Sequence, residues 1–175
     1  MSLFLYETNI QDENITKEAL QVKINSIQTK LEDTSNSLIE VQIAKDLSQL
    51  FLIVETKEVN NVATLIEDEG FEIKLQKEVR LVGEDLEKVK QQNESVNYVV
   101  EWNLPEHLTM EKYLERKKQN SVHYAEVPEV SFQRTYVCED MTKCLCFYDA
   151  PDEAAVKRAR EAVQAPIDAI TEREE

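Results

Sequence analysis

The sequence predicts an α+β fold in which one β-α-β-β-α-β unit occurs twice in tandem. The segment from Val130 to Pro151 contains two runs of β-branched and aromatic residues around a short polar turn, which is typical of a β-hairpin. The same pattern occurs 94 positions earlier, where Asp46 corresponds to Asp140. We therefore expect two copies of the same structural unit.

The register of the second hairpin follows from aligning its two apolar runs. In that register Thr135 lies opposite Cys146, and Gln133 lies opposite Tyr148. Residues 139–142 then form a four-residue loop, a length that is often built around a type I turn. The hairpin is thus the most closely specified part of the predicted fold.

The first copy shows the full order of elements. After a short strand, Thr16 has the features of a helix N-cap, because an apolar residue precedes it and apolar residues at helical spacing follow it. The second helix ends at Gly70, where a helix C-terminus favours a left-handed residue. The predicted elements are strand 3–10, a helix after Thr16, strands 38–44 and 50–55, helix 58–69 and strand 71–82. This order is the split β-α-β arrangement of ferredoxin-like folds.

The second copy repeats this order with a less regular first helix. Thr109 is the expected N-cap of that helix, and Pro151 with the acidic residues after it marks the start of the next one. The predicted elements are strand 98–104, a helix after Thr109, the hairpin, helix 152–164 and a short strand at 166–171.

The domain organisation follows from the two copies. Residues 1–83 form the first, diverged copy and residues 96–175 the second, with a polar, proline-free linker or short helix at 84–95. Each sheet would carry helices on one face only, and a small domain would expose the other face as an apolar patch unless something packs on it. We expect the two bare faces to pack face to face, as in a dimeric α/β barrel contained in one chain.

Strand alternation predicts which side chains face the helices and which face the space between the sheets. The helix-facing set comprises Val41, Ile43, Leu50, Leu52 and Val54 in the first copy and Cys144, Cys146 and Tyr148 in the second. The opposite set comprises Leu5, Glu7, Gln42, Ala44, Phe51 and Ile53, and then Val99, Glu101, Arg134, Tyr136, Cys138, Leu145 and Phe147.

The space between the sheets is the candidate ligand site, because apolar walls there meet charged groups. Its predicted binding residues are Glu7, Glu101, Arg134, Tyr136 and Phe147. A carboxylate in partly dry surroundings is costly unless it is paired, so Glu101 and Arg134 form either a structural ion pair or the polar end of a ligand pocket. Glu101 is also the candidate catalytic residue, as a general base.

Cysteine and histidine are sparse. All three cysteines lie in one hairpin of a chain that does not look secreted, so they are expected to be reduced. Cys144 and Cys146 resemble a C-x-C metal pair, but at alternate positions of a core strand they are interpreted as small apolar residues. Cys138, near the turn, is the more accessible thiol. His107 and His123 lack the close spacing of metal motifs, which favours surface or capping roles.

The charge balance constrains the partners. With 35 acidic and 20 basic residues the formal net charge is −15, which works against nucleic acid and anionic membranes, because both need clustered Lys and Arg. A small molecule, a cation or a basic partner fits the sign better, and a homo-oligomer stays open. No apolar run approaches the roughly 20 residues that span a bilayer, and no secretion signal is visible, so a cytoplasmic location is expected.

Two segments of the second copy, YVVEWNLPEHLTMEKY and FQRTYVCEDMTKCLCFYDAPDEAAVKRARE, resemble the small ferredoxin-like domains that include a nickel-binding protein from actinobacteria. The resemblance spans residues 96–172, and residues 3–82 look like a diverged copy. It rests on Glu101, Pro105, Leu108, Thr109, Arg134, Tyr136, Val137, Lys143, Cys146, Tyr148, Ala150, Pro151 and Val156.

The resemblance implies a dimer-like pairing of two domains and binding of a divalent metal such as nickel. Family members often carry histidine where this chain has Ala159, and histidine or aspartate where it has Trp102 and Asn103. Nickel prefers imidazole and mixed donor sets, so the best-suited donors are absent from these positions. The remaining candidate metal ligands are Glu101, Cys138, His107 and His123, with Tyr136 as a further candidate.

Three functional hypotheses follow. The first is a cytoplasmic protein that binds a small ligand or a divalent metal in the cleft between the sheets. The second is a structural or interaction protein in which that cleft is filled by side chains. The third is an enzyme of the cofactor-poor monooxygenase or isomerase type that uses Glu101, since stacked ferredoxin-like sheets host such chemistry.

Overall fold

A computed structural model describes residues 2–91 and 96–173 of the chain. The first half contains strand β1 (Ser2–Ile10), helix α1 (Lys17–Asp33), strands β2 (Ser37–Ile43) and β3 (Gln49–Thr56), helix α2 (Val59–Asp68), strand β4 (Phe71–Val82) and the short helix α3 (Leu86–Lys90). The second half contains strand β5 (Tyr98–Asn103), helix α4 (Met110–Asn120), a 3-10 helix (Ser121–Glu126), strands β6 (Ser131–Cys138) and β7 (Lys143–Asp149), helix α5 (Glu153–Ala162) and strand β8 (Ala169–Glu172).

The chain divides into two compact units, one up to Val79 and one from Arg80 to Arg173. The last three residues of β4 therefore belong to the second unit. The predicted connection at 84–95, expected as a linker or a short helix, contains helix α3, and its residues 92–95 lie outside the described part of the chain. Within residues 2–91 and 96–173, none of the helices combines the length and apolar character that crossing a membrane requires.

The first unit is an antiparallel four-stranded sheet with two helices on one face. Strand β3 pairs with both β1 and β2, and β1 also pairs with β4, which gives the order β2-β3-β1-β4. Helices α1 and α2 pack on one face of this sheet. The core there consists of Tyr6, Leu20, Ile24, Ile27, Leu31, Leu50, Leu52, Val54, Val62, Ile66 and Phe71.

The second unit repeats this plan. Strand β7 pairs with β5 and β6, and β5 pairs with β8, so the order is β6-β7-β5-β8. The helix-side core includes Val100, Trp102, Tyr113, Cys144, Cys146, Tyr148, Ala155, Val156 and Ala159. The expected α+β class of two ferredoxin-like units is thereby confirmed, and the predicted helix-facing residues of both copies lie under the helices. The stacking of the two bare faces stays a prediction.

The duplication extends to irregular details of the backbone. Strand β2 has a bulge between Leu38 and Glu40, and β6 has one between Phe132 and Arg134, at equivalent positions of the two copies. A bulge places an extra residue on one strand opposite a single partner residue on the other. Phe132, not Gln133, therefore lies opposite Tyr148, and the predicted register is wrong at that position. Past the bulge the prediction is confirmed.

The hairpin turns are also equivalent. Leu47 has a φ of 61° and Met141 a φ of 62°, both in the left-handed region. In each turn an aspartate accepts a hydrogen bond from the backbone N–H two residues later, Asp46 from Ser48 at 3.0 Å and Asp140 from Thr142 at 3.0 Å. Such side-chain bonds stabilise tight turns locally. They hold non-glycine residues in a conformation that is otherwise uncommon.

Side-chain caps define where the helices begin. Thr16 accepts a hydrogen bond from the Ala19 N–H, and Thr109 accepts one from the Lys112 N–H, as the sequence predicts. Asp152 caps α5 in the same way. Each cap satisfies an N–H group that has no partner within its helix and contributes about 1 kcal/mol.

One element of the second unit was not predicted. Residues 121–126 form a 3-10 helix that continues from α4, where the sequence has no apolar periodicity. It brings Tyr124 against the ring of Phe132, with the two rings stacked at a centroid distance of 5.4 Å. The contact of Tyr124 with Phe132 thus stabilises a segment for which the local sequence pattern predicts no element.

Replacing Gly70 with Ala should lower the free energy of unfolding by about 1 kcal/mol, since a φ of +93° disfavours any residue with a Cβ. The new Cβ would meet only Lys23 Nζ at 3.6 Å, an ordinary contact. Gly83→Ala should cost more, because its Cβ would also lie 3.1 Å from Phe132 Cε2. Urea denaturation of both variants measures the difference, and an equal or larger loss at Gly70 would contradict this account.

Candidate functional site

Glu101 lies on β5 and pairs with a different cation from the one expected. Its carboxylate contacts the ammonium group of Lys143, the first residue of β7, and both side chains are only 13% exposed. Of the two alternatives for Glu101 and Arg134, the ion pair is wrong, and the polar end of a ligand pocket stays a prediction. Lys143 is located at the end of the hairpin turn, and its long flexible side chain can reach a neighbouring strand, which strand alternation alone does not reveal.

Arg134, Tyr136 and Phe147 do come together, on the face of the second sheet that the helices leave uncovered. The Arg134 guanidinium lies 5.3 Å from the centroid of the Phe147 ring. The rings of Tyr136 and Phe147 are tilted by 59° at a centroid distance of 5.6 Å. All three side chains are buried. Glu7 belongs to the first unit, where it is also buried, and a shared ligand site of these residues stays a prediction.

The candidate metal ligands are not brought together. Cys138 is 1% exposed, the same as Cys144 and Cys146, so the prediction that it is the more accessible thiol is wrong. His107 and His123 are exposed, and His123 Nδ1 lies 2.5 Å from Glu126 Oε2. In the described ranges, no group of three or more His, Cys, Asp and Glu side chains is arranged to hold a metal ion. Nickel needs several nitrogen, oxygen or sulfur donors around one point. The donor set present in these ranges therefore does not fit a nickel site.

A polar cluster lies instead beneath the helices of the second unit, centred on Arg160 of α5. Arg160 Nη1 donates to the Tyr148 hydroxyl at 3.1 Å and to Cys146 Sγ at 3.2 Å. Its Nη2 donates to the Pro166 carbonyl at 2.5 Å. The Tyr148 hydroxyl is also 2.6 Å from that of Tyr124. This cluster is a second candidate site, and sequence reasoning did not find it.

Arg160 is a guanidinium in an apolar environment. It is 2% exposed, Cys146 is 1% exposed and Tyr148 is fully buried. The groups that accept its hydrogen bonds are a thiol, a hydroxyl and a carbonyl, none of which is a carboxylate. Its Nε has no hydrogen-bond partner. A buried charge is costly unless an opposite charge offsets it, so the ionisation of the neighbouring Cys146 thiol matters for the Arg160 charge.

The two thiols of β7 respond to this charge. A hydrogen bond from Cys144, the neighbouring Arg160 guanidinium and a hydrogen bond from Thr135 hold the pKa of Cys146 well below its usual range. The hydrogen bond to Cys146, together with burial, raises the pKa of Cys144. The pair therefore releases its first proton at lower pH than an ordinary thiol, and Cys146 is the thiolate nearest to the cation.

The tyrosines of the cluster stay protonated. Burial raises the pKa of Tyr148, Tyr124 and Tyr113 well above that of an exposed phenol. Each hydroxyl is thus available as a hydrogen-bond donor at neutral pH. Ionisation of Cys146, whose pKa is lowered, or an anionic group that enters from outside can then offset the Arg160 charge.

A pocket opens beside the cluster, with a cavity volume of about 30 Å³. That is enough for a few water molecules or for the polar end of a small ligand. Helix α4, the 3-10 helix, strands β5 and β7, and the end of α5 with the residues after it form the walls. The lining residues are Trp102, Tyr113, Arg116, Lys117, Asn120, Ser121, Tyr124, Cys146, Arg160, Val163 and Ala165.

The two other cations of the pocket are held by aromatic rings and a carbonyl. The Arg116 guanidinium lies 5.5 Å from the Trp102 ring centroid, and its Nη2 donates to the Gln164 carbonyl at 2.5 Å. Lys117 Nζ lies 4.2 Å from the Phe132 ring centroid. Such contacts fix the positions of cations without neutralising them.

The signal that could have revealed Arg160 lies in the helical pattern of α5. The helix turns buried residues inward at Val156, Ala159 and Val163, a spacing of three and four residues. Arg160 occupies the same stripe, where an apolar residue is expected. A charged residue in an otherwise apolar stripe indicates a buried charge that needs a partner.

The class of protein is defined by these two units. The chain is built from two ferredoxin-like units, and it is similar in fold to a solved structure over its whole length. The structure of a proposed chlorite dismutase, TA0507, matches with a TM-score of 0.65 and 10% sequence identity over 100% of this chain and 96% of that one. A proposed monooxygenase from Lactobacillus acidophilus NCFM matches with a TM-score of 0.49 and 9% identity over 99% and 92% of the two chains.

The family resemblance is confirmed for the second copy. Residues 98–172 match the family described as nickel responsive protein SCO4226-like. This match covers the second copy and leaves the first copy outside, as expected for a diverged duplicate. No curated protein matches the chain.

Lys143→Met should lower the free energy of unfolding by roughly 1–3 kcal/mol, because the Glu101 carboxylate would lose its ammonium partner in a largely buried position. Adding Glu101→Gln should recover part of this loss. Chemical denaturation of the single and double variants measures both effects. Lys157→Met is the control, since Lys157 and Glu153 pair at 3.3 Å on the surface and should matter little. No recovery in the double variant would refute the pairing.

Cys146 should ionise below the ordinary thiol pKa of about 8.5. The pKa of Cys146 is lower in the folded protein than in the unfolded chain, so between these two pKa values the folded protein binds fewer protons than the unfolded chain. The stabilisation by the Cys146 thiolate is therefore complete above the pKa of the unfolded chain and is lost as pH falls through the pKa of the folded protein. Ultraviolet absorbance of the thiolate, followed against pH, should show a low-pH step that Cys146→Ser removes and the control Cys138→Ser keeps. A step that persists in Cys146→Ser would assign it to another group.

Proposed function

We propose that this chain is a small-molecule-binding protein whose binding site is the pocket beside Arg160 in the second unit. The observation that carries the proposal is the combination of a concave cavity with polar groups that converge on it. Pockets of this kind, with apolar and aromatic walls and a few fixed polar groups, are the usual form of ligand sites. Trp102, Tyr113 and Tyr124 supply the aromatic walls here.

The family name suggests a response to nickel, and the first hypothesis from the sequence was binding of a small ligand or a divalent metal. Of these two alternatives, binding of a small ligand is favoured. Glu101 is paired with Lys143, and the two histidines are exposed and separate, so the proposed metal ligands do not converge. A pocket with three basic residues is also unfavourable for a divalent cation.

The sites predicted on the uncovered sheet faces rank second. Glu7, Arg134, Tyr136 and Phe147 are buried and Glu101 is half-buried, which is also the result expected if side chains fill this space. Glu101 is however already engaged by Lys143, which does not favour a role as a catalytic base. A cytoplasmic location is part of the proposal, since all three cysteines are free and reduced thiols are usual there. Homo-oligomer formation stays a prediction.

Saturable binding of small aromatic fragments should be detectable by ligand-observed NMR with benzamide, benzoate and phenol as probes. At least one should bind with a Kd of about 1 mM or tighter, which corresponds to about −4 kcal/mol. Ala165→Phe, which fills the pocket, should abolish the binding. Ala154→Phe, on the exposed side of α5, is the matched control and should leave it unchanged.

Two results would contradict the proposal. One is that none of the three probes binds, and the other is that Ala165→Phe has no effect on binding. Calorimetric titration with Ni²⁺ tests the metal hypothesis separately. Saturable binding of Ni²⁺ with a Kd below about 1 mM would make metal binding the favoured hypothesis.

A further inference from the structure

We propose that the ligand of this pocket is a small organic anion, a carboxylate, and that Arg160 is the residue that binds its charged end. This inference rests on the proposed function and names the class of ligand. Four observations lead to it: the unpartnered nitrogen of Arg160, the positive charge of the pocket, the aromatic character of its walls, and the apolar residues at the equivalent positions of the first copy.

Arg160 has unused capacity to bind an acceptor. Two of its three nitrogens donate to neutral or weakly acidic groups, whereas its buried Nε has no partner. A guanidinium has five N–H donors in a rigid fork that matches a carboxylate. Arg160 is 2% exposed and lines the cavity, so an acceptor that enters the cavity can approach its guanidinium. A carboxylate would supply both the hydrogen bond and the opposite charge.

The pocket is positive in a protein that is strongly negative. Arg116, Lys117 and Arg160 line the cavity, and no Asp or Glu is among the lining residues. The chain as a whole has a net charge of −15. Basic residues that are concentrated at one cavity of an otherwise acidic protein favour the binding of an anion there and disfavour the binding of a cation.

The walls suit a small planar acid. The rings of Trp102 and Tyr113 lie at a centroid distance of 6.2 Å, and Tyr124 lines the same cavity. Aromatic walls contact the flat face of a conjugated or aromatic ligand, whereas a volume of about 30 Å³ limits the enclosed part to a small group. An aromatic carboxylate with its charged end toward Arg160 fits both features.

The first copy lacks this chemistry. At the positions equivalent to Arg160, Cys146 and Tyr148 it has Ile66, Leu52 and Val54, all fully buried in its apolar core. The same fold is therefore stable with an apolar residue at each of these positions. A purely structural role does not require the buried charge of the second copy, which supports a role in binding.

The test compares benzoate with benzamide, which has nearly the same shape and no charge. Trp102 is the only tryptophan of the chain and lines the pocket, so its fluorescence reports binding. Benzoate should bind at least tenfold more tightly than benzamide, and acetate should compete with it. Arg160→Gln should reduce benzoate binding at least tenfold and leave benzamide binding nearly unchanged. Arg158→Gln, an exposed arginine on the same helix that pairs with Glu129, is the control.

The outcomes separate the two proposals. Equal affinity for benzoate and benzamide would overturn the anion inference and leave a ligand-binding pocket. If neither benzoate nor benzamide binds, the anion inference is overturned and the proposed function is weakened as well. If Arg160→Gln does not fold, the double variant Arg116→Gln with Lys117→Gln provides the test, since both residues line the pocket from helix α4 and should lower benzoate affinity.

Discussion

The chemistry of the second unit depends on one constraint, a guanidinium that lies in an apolar core without a carboxylate. Arg160 is held by a thiol, a hydroxyl and a carbonyl, which satisfy its hydrogen bonds in part, and the Cys146 thiol is the one of these groups whose ionisation can offset its charge. A hydrogen bond from Cys144 and the Arg160 charge together lower the pKa of Cys146, burial keeps the tyrosines around it protonated, and a cavity lies beside the cluster. The surrounding apolar residues make each of these effects stronger, because low polarity weakens screening.

The duplicated architecture separates what the fold requires from what a site requires. Both copies keep the bulge, the left-handed turn residue, the aspartate in the turn and the threonine cap. These features determine backbone path and are independent of the buried side chains. The polar cluster occurs in one copy only, with aliphatic residues in its place in the other. The backbone fold is therefore the same in both copies, whereas the buried polar side chains differ between them.

Much of the fold could be predicted from the sequence, because hydrophobic alternation and caps are local. Strand β4 has the predicted bounds, and the N-caps Thr16 and Thr109 are confirmed. What failed depends on contacts between distant residues. The partner of Glu101 depends on the reach of the Lys143 side chain, and the bulge beside Gln133 shifts the pairing of β6 with β7 by one residue. Arg160 was overlooked because a charged residue on a helix is normally exposed.

The paired bulges have a consequence for how this chain can change. Each one shifts the alternation of side chains along its strand, so that the residues before and after it reach the correct faces only with that extra residue present. Deleting Ile39 or Gln133 would move the side chains on one side of the bulge to the opposite face of the sheet. These two hairpins can accept many different side chains, but neither can easily become one residue shorter or longer. Loop insertions elsewhere carry no such penalty.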